Sequence, residues 1–246
     1  MSKEKGFAIP VCVVMPNNAM IPKILSTEDC GADVVCSGPS WQERDFALKQ
    51  LQTKTQATVV STSLDPSIFL GQGTLGIEFT DQVKQTYGHS LDAIIAPCGS
   101  GGMLAGLAVA LHGSPTQVFG AEPSEGGADD AGRGREIGSR IETVNSPSIA
   151  DGLRCPVGKL PWEIVKRADY VEDMFSVTDE QIRETMKLVY DEFHMVIEPS
   201  AAVALAVVFF SEEFRDLAAA QTESWRIGVV LSGGNIDLQT VVDIVS

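Results

Sequence analysis

The chain has 246 residues, 44% of them hydrophobic, and a formal net charge of −15. That length and apolar content suit one large domain or two small ones. The acidic balance argues against a nucleic-acid partner, whose phosphate backbone is met by stripes of Lys and Arg. The longest apolar run, residues 201–210, is too short to span a bilayer. No signal-type apolar region follows Met1-Ser2-Lys3-Glu4-Lys5, so an acidic, cytoplasmic protein without a membrane partner is the expectation.

In chain order, residues 11–15 are a short apolar run closed by Pro16 and read as a buried strand. Residues 21–30 read as a helix closed by Gly31, and 33–36 as the next strand. A helix follows over 41–51, with Trp41, Ala47, Leu48 and Leu51 on one face, and then a third strand over 58–61. Residues 64–73 read as a connection. Residues 74–87 read as a helix, with Leu75, Phe79 and Val83 at helical spacing.

Further strands are expected at 93–97, 117–121, 170–175 and 227–231, with a loop-rich, Gly/Ser/Asp-rich stretch over 123–160. Thr178-Asp179-Glu180-Gln181 is a capping box opening a helix whose apolar face is Ile182, Met186, Val189 and Phe193. Pro199 suits the first position of another helix. That helix, over 200–210, is apolar all round and therefore central. Strands alternating with helices predict βαβ units and parallel sheets. The expected organisation is a partial small α/β domain at 1–65 and a larger α/β domain at 66–246, with the change near 62–72. Cys12, Cys30, Cys36, Cys98 and Cys155 include no C-x-x-C pair, and His89, His112 and His194 form no ligand-spaced pair. Buried reduced thiols are expected, and a zinc site is not.

Two turns carry chemistry. Pro97-Cys98-Gly99-Ser100-Gly101-Gly102-Met103 joins a strand to a helix through glycines. Such a turn lets backbone N–H groups converge at the positive end of a helix dipole, an anion site whose expected guest is a phosphate. It lacks the Lys-Ser/Thr of a Walker loop and the sixth-place glycine of a dinucleotide fingerprint. A tight turn without ligand is the alternative. Leu231-Ser232-Gly233-Gly234-Asn235 is a second strand end of this kind, and strand carboxyl ends are where open α/β sheets bind ligands.

Taken in order, these stretches resemble the fold-type II pyridoxal-phosphate enzymes, in particular the serine racemases and serine/threonine dehydratases. The matching pieces are Ile9-Pro10-Val11 through Met15-Pro16, Gly31-Ala32-Asp33-Val34-Val35, Gly71-Gln72-Gly73-Thr74 and the loop at 99–103. They continue with Ala121-Glu122-Pro123, Ile149-Ala150-Asp151-Gly152, Glu198-Pro199-Ser200-Ala201 and Ser232-Gly233-Gly234-Asn235. The resemblance implies two doubly wound parallel-sheet domains of the tryptophan synthase beta-like kind, with pyridoxal 5′-phosphate as cofactor. By the same resemblance Gly99, Ser100, Gly101, Gly102 and Met103 hold its phosphate, and Ser232 meets the pyridine nitrogen. A hydroxyl there, unlike a carboxylate, does not hold the nitrogen protonated, which weakens the electron sink and suits β-elimination. Glu198 resembles a family glutamate near the cofactor ring, or serves as an acid at the helix start beside Pro199. Glu122, Ala128 and Asp130 resemble the racemase cation site, whose oxygen ligands suit Mg²⁺ or Ca²⁺. Here the spacer is longer, with Gly126-Gly127 inserted.

The family's cofactor lysine, in a Ser-Phe-Lys-type motif, and the Asn-bearing loop after it have no counterpart in this sequence. Lys3 and Lys5 match no lysine motif. The expectation is a chain starting roughly 60–80 residues late, about two βα units of a doubly wound fold. By family it is a serine/threonine ammonia-lyase or serine racemase acting on a small amino acid such as serine or threonine, inactive as this chain, in a homodimer or paired with an intact relative. The alternative is a non-catalytic remnant or interaction subunit.

Overall fold

The structure is a computed structural model that describes residues 9–61 and 65–245. Lys3, Lys5 and Leu64 lie outside the described residues. The chain divides into two compact units. One takes in the chain up to Val59 together with Asn235–Asp237, and the other takes in Val60–Gly234 and the chain from Leu238.

In the smaller unit, β1 (Cys12–Pro16), α1 (Ile21–Asp29), β2 (Asp33–Ser37) and α2 (Trp41–Thr55) follow one another, and β1 and β2 pair in parallel. Ser40 opens α2 through a capping box with Glu43, and Gln56 ends it in the left-handed conformation. The face expected over Trp41, Ala47, Leu48 and Leu51 is at most half-buried, and Trp41 is exposed. The strand expected at 58–61 does not form. Val60 is exposed, and among the described residues no strand offers this stretch a ladder partner.

The larger unit begins with α3 (Pro66–Gly71), where a connection was expected. Asp65 caps it by accepting from the Ser67 N–H at 2.8 Å, and Pro66 sits in its first turn. Then come α4 (Thr74–Tyr87), β3 (Ala93–Pro97), α5 (Gly102–Leu111), β4 (Gln117–Pro123), α6 (Asp130–Ile137), α7 (Lys159–Val165), β5 (Asp173–Val177), α8 (Asp179–Phe193), α9 (Pro199–Phe210), α10 (Glu212–Ala219), β6 (Ile227–Val229) and α11 (Leu238–Val245). The strands form one parallel sheet in the order β5-β4-β3-β6. The strand expected at 170–175 starts later, because the Tyr170 and Val171 N–H groups close a turn onto the Arg167 carbonyl. α6 interrupts the stretch expected to be loop-rich. The capping box of Thr178 and Gln181 opens α8 as expected, with Ile182, Met186 and Val189 buried and Phe193 exposed.

β3 shows why the sheet is covered on both faces. All five of its residues are buried. Ala93 and Ile95 pack with Phe119, Ala121 and the apolar helix α9, while Ile94 and Ala96 pack with Val118 and with Leu104, Leu107 and Ala108 of α5. Alternation along the strand thus feeds two cores, as a doubly wound parallel sheet requires. α9 is central: eight of its residues are buried, with Ser200 and Ala201 among them. Of the cysteines only Cys98 is buried. Cys12, Cys30 and Cys36 are exposed, which corrects the expectation of buried thiols. Among the described residues no helix is long and apolar enough to cross a membrane.

Candidate functional site

The candidate site lies at the carboxyl ends of β3 and β6, which are hydrogen-bonded neighbours in the sheet. β3 ends at Pro97, and the Cys98 N–H still donates to the Ala121 carbonyl at 2.8 Å. Gly101 then takes φ +79°, a left-handed value that favours glycine, and acts as the cap residue of α5. The Ala105 N–H is the first to fold back, donating to the Gly101 carbonyl at 2.9 Å. Among the described residues none accepts a hydrogen bond from the N–H groups of Gly102, Met103 or Leu104. These are the orphan donors of a helix start, at the positive end of its dipole. Within the loop Gly99 is buried and Ser100 is half-buried.

The segment at 152–158 backs this loop. A Cβ on Gly99 would lie 3.0 Å from the Gly152 carbonyl oxygen, and one on Gly101 would lie 2.9 Å from Val157 Cγ1. The Gly158 N–H donates to the Ser100 carbonyl at 3.0 Å, and the Gly152 N–H donates to Ser200 Oγ at 3.0 Å. None of this backing was visible in sequence, because its partners come from distant stretches that share no local motif.

On the neighbouring strand, the Val230 N–H continues the ladder to the Ile95 carbonyl at 3.0 Å, and the chain leaves the sheet through Ser232 and Gly233. Ser232 is exposed at that end. Glu198 precedes α9 with an extended backbone, and its side chain makes no capping bond to its own helix. Instead it lies against the strand end: a Cβ on Gly233 would meet Glu198 Oε1 at 2.1 Å, and the Glu198 N–H donates to the Gly233 carbonyl at 3.2 Å. The fold therefore joins Glu198 to the Ser232-Gly233 turn and sets that turn on the strand beside the loop at 99–103.

Glu122, Ala128 and Asp130 are all buried. Glu122 spends its carboxylate on the start of α6, its Oε1 accepting from the Ala131 N–H and its Oε2 from the Gly132 N–H, both at 3.0 Å. Asp130 Oδ2 accepts from the Val157 N–H at 2.9 Å, while its buried Oδ1 has no hydrogen-bond partner. Gly126 and Gly127 both take left-handed φ values, in a short 3-10 turn that ends just before Ala128. Burial and the neighbouring Asp130 push the Glu122 carboxyl well above its ordinary range, and burial raises Asp130 to about 6. Burial first, then the nearby Glu122 and Asp130, also push the Cys98 thiol up from its ordinary range. Among the described residues no three His, Cys, Asp or Glu side chains converge as metal ligands. Any cation here would rely on the Asp130 Oδ1, the Glu122 oxygens, the Ala128 carbonyl and water.

Comparison with known proteins bears on this geometry. The family model described as "Pyridoxal-phosphate dependent enzyme" matches residues 1–233. The serine racemase of Oryza sativa subsp. indica is 34% identical over 232 residues, covering 94% of this chain and 65% of that protein. The structure of maize serine racemase superposes with a TM-score of 0.86 at 34% identity, over 98% of this chain and 70% of that one. The crystal structure of a T.th. threonine deaminase superposes with a TM-score of 0.82 at 31% identity, over 96% and 73%. The chain thus spans about two thirds of the length of the curated relatives it matches.

Proposed function

Because the chain belongs to the pyridoxal-phosphate dependent enzyme family, we propose that the loop at 99–103 holds the phosphate of pyridoxal 5′-phosphate. The proposal extends to a racemase or dehydratase acting on a small amino acid such as serine or threonine. One observation carries it: the open N–H groups of Gly102, Met103 and Leu104 lie at the carboxyl end of β3, beside β6, from which the chain runs on to Ser232. A dianionic phosphate satisfies such orphan donors and the helix dipole together. The bound cofactor supplies an electron sink for the pair left at the substrate Cα. In this reading Ser232 would offer a hydroxyl to the pyridine nitrogen, and Glu198, set against Gly233, would hold the Ser232-Gly233 turn in place. The serine racemases and the threonine deaminase named above support the substrate class. Glu122, the Ala128 carbonyl and Asp130 would hold Mg²⁺ or Ca²⁺, which prefer such oxygen donors.

The test is a titration of the chain with pyridoxal 5′-phosphate and, separately, with inorganic phosphate. Ser100→Asp adds a carboxylate to the loop without disturbing a left-handed residue, and it is expected to abolish both bindings. Gly101→Asp should do the same, because its Cβ would crowd Val157 and its charge would repel the anion. Affinity unchanged in both variants would sink the assignment. Release of pyruvate from serine or of 2-oxobutyrate from threonine, against formation of D-serine, separates lyase from racemase.

A further inference from the structure

The loop at 99–103 is braced from outside by the segment behind it. The Ser100 carbonyl accepts from the Gly158 N–H at 3.0 Å, and the left-handed Gly101 packs under Val157, whose Cγ1 would lie 2.9 Å from any Cβ at that position. Val157 is in turn gripped at both ends of its residue. Its N–H donates to Asp130 Oδ2 at 2.9 Å, and its carbonyl accepts from Arg140 Nη1 at 3.0 Å. Asp130 is 1% exposed and the Arg140 side chain 21% exposed, so these bonds are largely shielded from water.

We infer that Asp130 and Arg140 are positioning residues for the phosphate loop, acting through the Val157-Gly158 backbone. Carboxylate and guanidinium bind opposite ends of one residue with charge-assisted bonds, which are stronger and more directional than neutral ones. A residue so held sets where Gly158 N–H points, and therefore where the Ser100 carbonyl and the Gly101 turn lie. A helix-start anion site depends on tenths of an ångström in donor placement, since hydrogen bonds weaken steeply away from their preferred geometry. This inference rests on reading residues 99–103 as the phosphate site. It assigns to Asp130 a task for Oδ2 that is separate from anything its Oδ1 holds.

The experiment titrates the 246-residue chain with inorganic phosphate by calorimetry and follows amide hydrogen exchange at Val157 and Gly158. Asp130→Ala and Arg140→Ala are each expected to weaken phosphate binding about tenfold, the loss of about one charge-assisted hydrogen bond's worth of placement. Exchange at Gly158 should rise while the amides of α9 stay protected. Asp130→Asn keeps a side-chain oxygen facing the Val157 N–H and should bind phosphate within about twofold of the parent. A purely global loss of stability would lower the melting temperature and raise exchange everywhere, without this pattern in affinity. An alanine variant that binds phosphate as the parent does removes its residue from the brace. If Asp130→Ala does not fold, Arg140→Ala decides the point, and parent-like phosphate binding in that variant overturns the brace. Failure of the parent chain to bind phosphate overturns both the site reading and this inference. Binding that Ser100→Asp abolishes but Asp130→Ala and Arg140→Ala leave intact overturns the inference alone.

Discussion

Gly106 sits one turn into α5, and a methyl group there would lie 2.1 Å from the Phe69 carbonyl oxygen and 3.0 Å from Gly73 N. Both obstacles are backbone, so neither can swing away, and α3 packs against α5 only because this position is bare. Gly106→Ala is expected to cost about 1–3 kcal/mol by overpacking, read as a lower urea midpoint at unchanged slope. A midpoint equal to the parent's would show that α3 yields without cost. Asp179 is a second single residue on which much depends. It is buried and accepts from Ser148 Oγ at 2.6 Å and from the Ile149 N–H at 2.9 Å, so it pins the residues that lead into the segment behind the loop. Asp179→Ala strands both donors and should cost about 3 kcal/mol, whereas Asp179→Asn, which keeps one acceptor, should cost less. Equal losses in the two would refute the hydrogen-bond account. At this scale the sequence was partly legible. Glycines at a strand end announce a close-approach turn, and Pro199 announces a helix start. The partners of Asp179 and Asp130, 30 and 27 positions away along the chain, announce nothing.

Among the elements, α8 offers the cleanest local test. The Gln181 N–H donates to Thr178 Oγ1 at 3.3 Å, and the Thr178 N–H donates to Gln181 Oε1 at 2.9 Å. Thr178→Ala removes one half of this reciprocal cap and should cost about 1 kcal/mol, a fall of roughly 2–4 °C in a chain of this size. Thr178→Ser should recover most of it, and no recovery would mean that the threonine methyl, not the hydroxyl, matters. Elements with such local signals were readable in advance. α4 and β3 fall at the expected residues, one from helical apolar spacing and the other from a bounded apolar run. α6 was hidden because its sequence, DAGRGREI, carries two glycines, and its start is organised by Glu122 from the preceding strand. α3 was hidden by its shortness, although Asp65 and Pro66 are proper start signals. The stretch at 58–61 shows the converse: strand-like composition does not make a strand where no neighbour supplies a ladder.

At the scale of the whole molecule, the cofactor and cation readings make separable claims on stability. A ligand that binds only the folded chain stabilises it by mass action, so pyridoxal 5′-phosphate at about a hundred times its Kd should add about 2.7 kcal/mol. Ser100→Asp should remove that increment. The cation needs a stricter control. With a net charge of −15, any added salt relieves self-repulsion and raises the melting temperature without occupying a site. The comparison is therefore Mg²⁺ or Ca²⁺ against NaCl at equal ionic strength. Glu122 and Asp130 are neighbouring buried carboxylates, and Asp130 Oδ1 is without a hydrogen-bond partner, so a bound divalent ion would offset the cost of burying their charge. An increment beyond that of NaCl is expected, and the double substitution Glu122→Gln with Asp130→Asn should erase it. Since Asp130→Asn is expected to keep the Val157 bond, the doubly substituted chain should still bind inorganic phosphate. Loss of the cation increment with phosphate binding retained would separate cation binding at the Glu122–Asp130 pair from the Asp130 bond to the Val157 N–H. A cation increment that survives the double substitution would show that these carboxylates do not hold the ion.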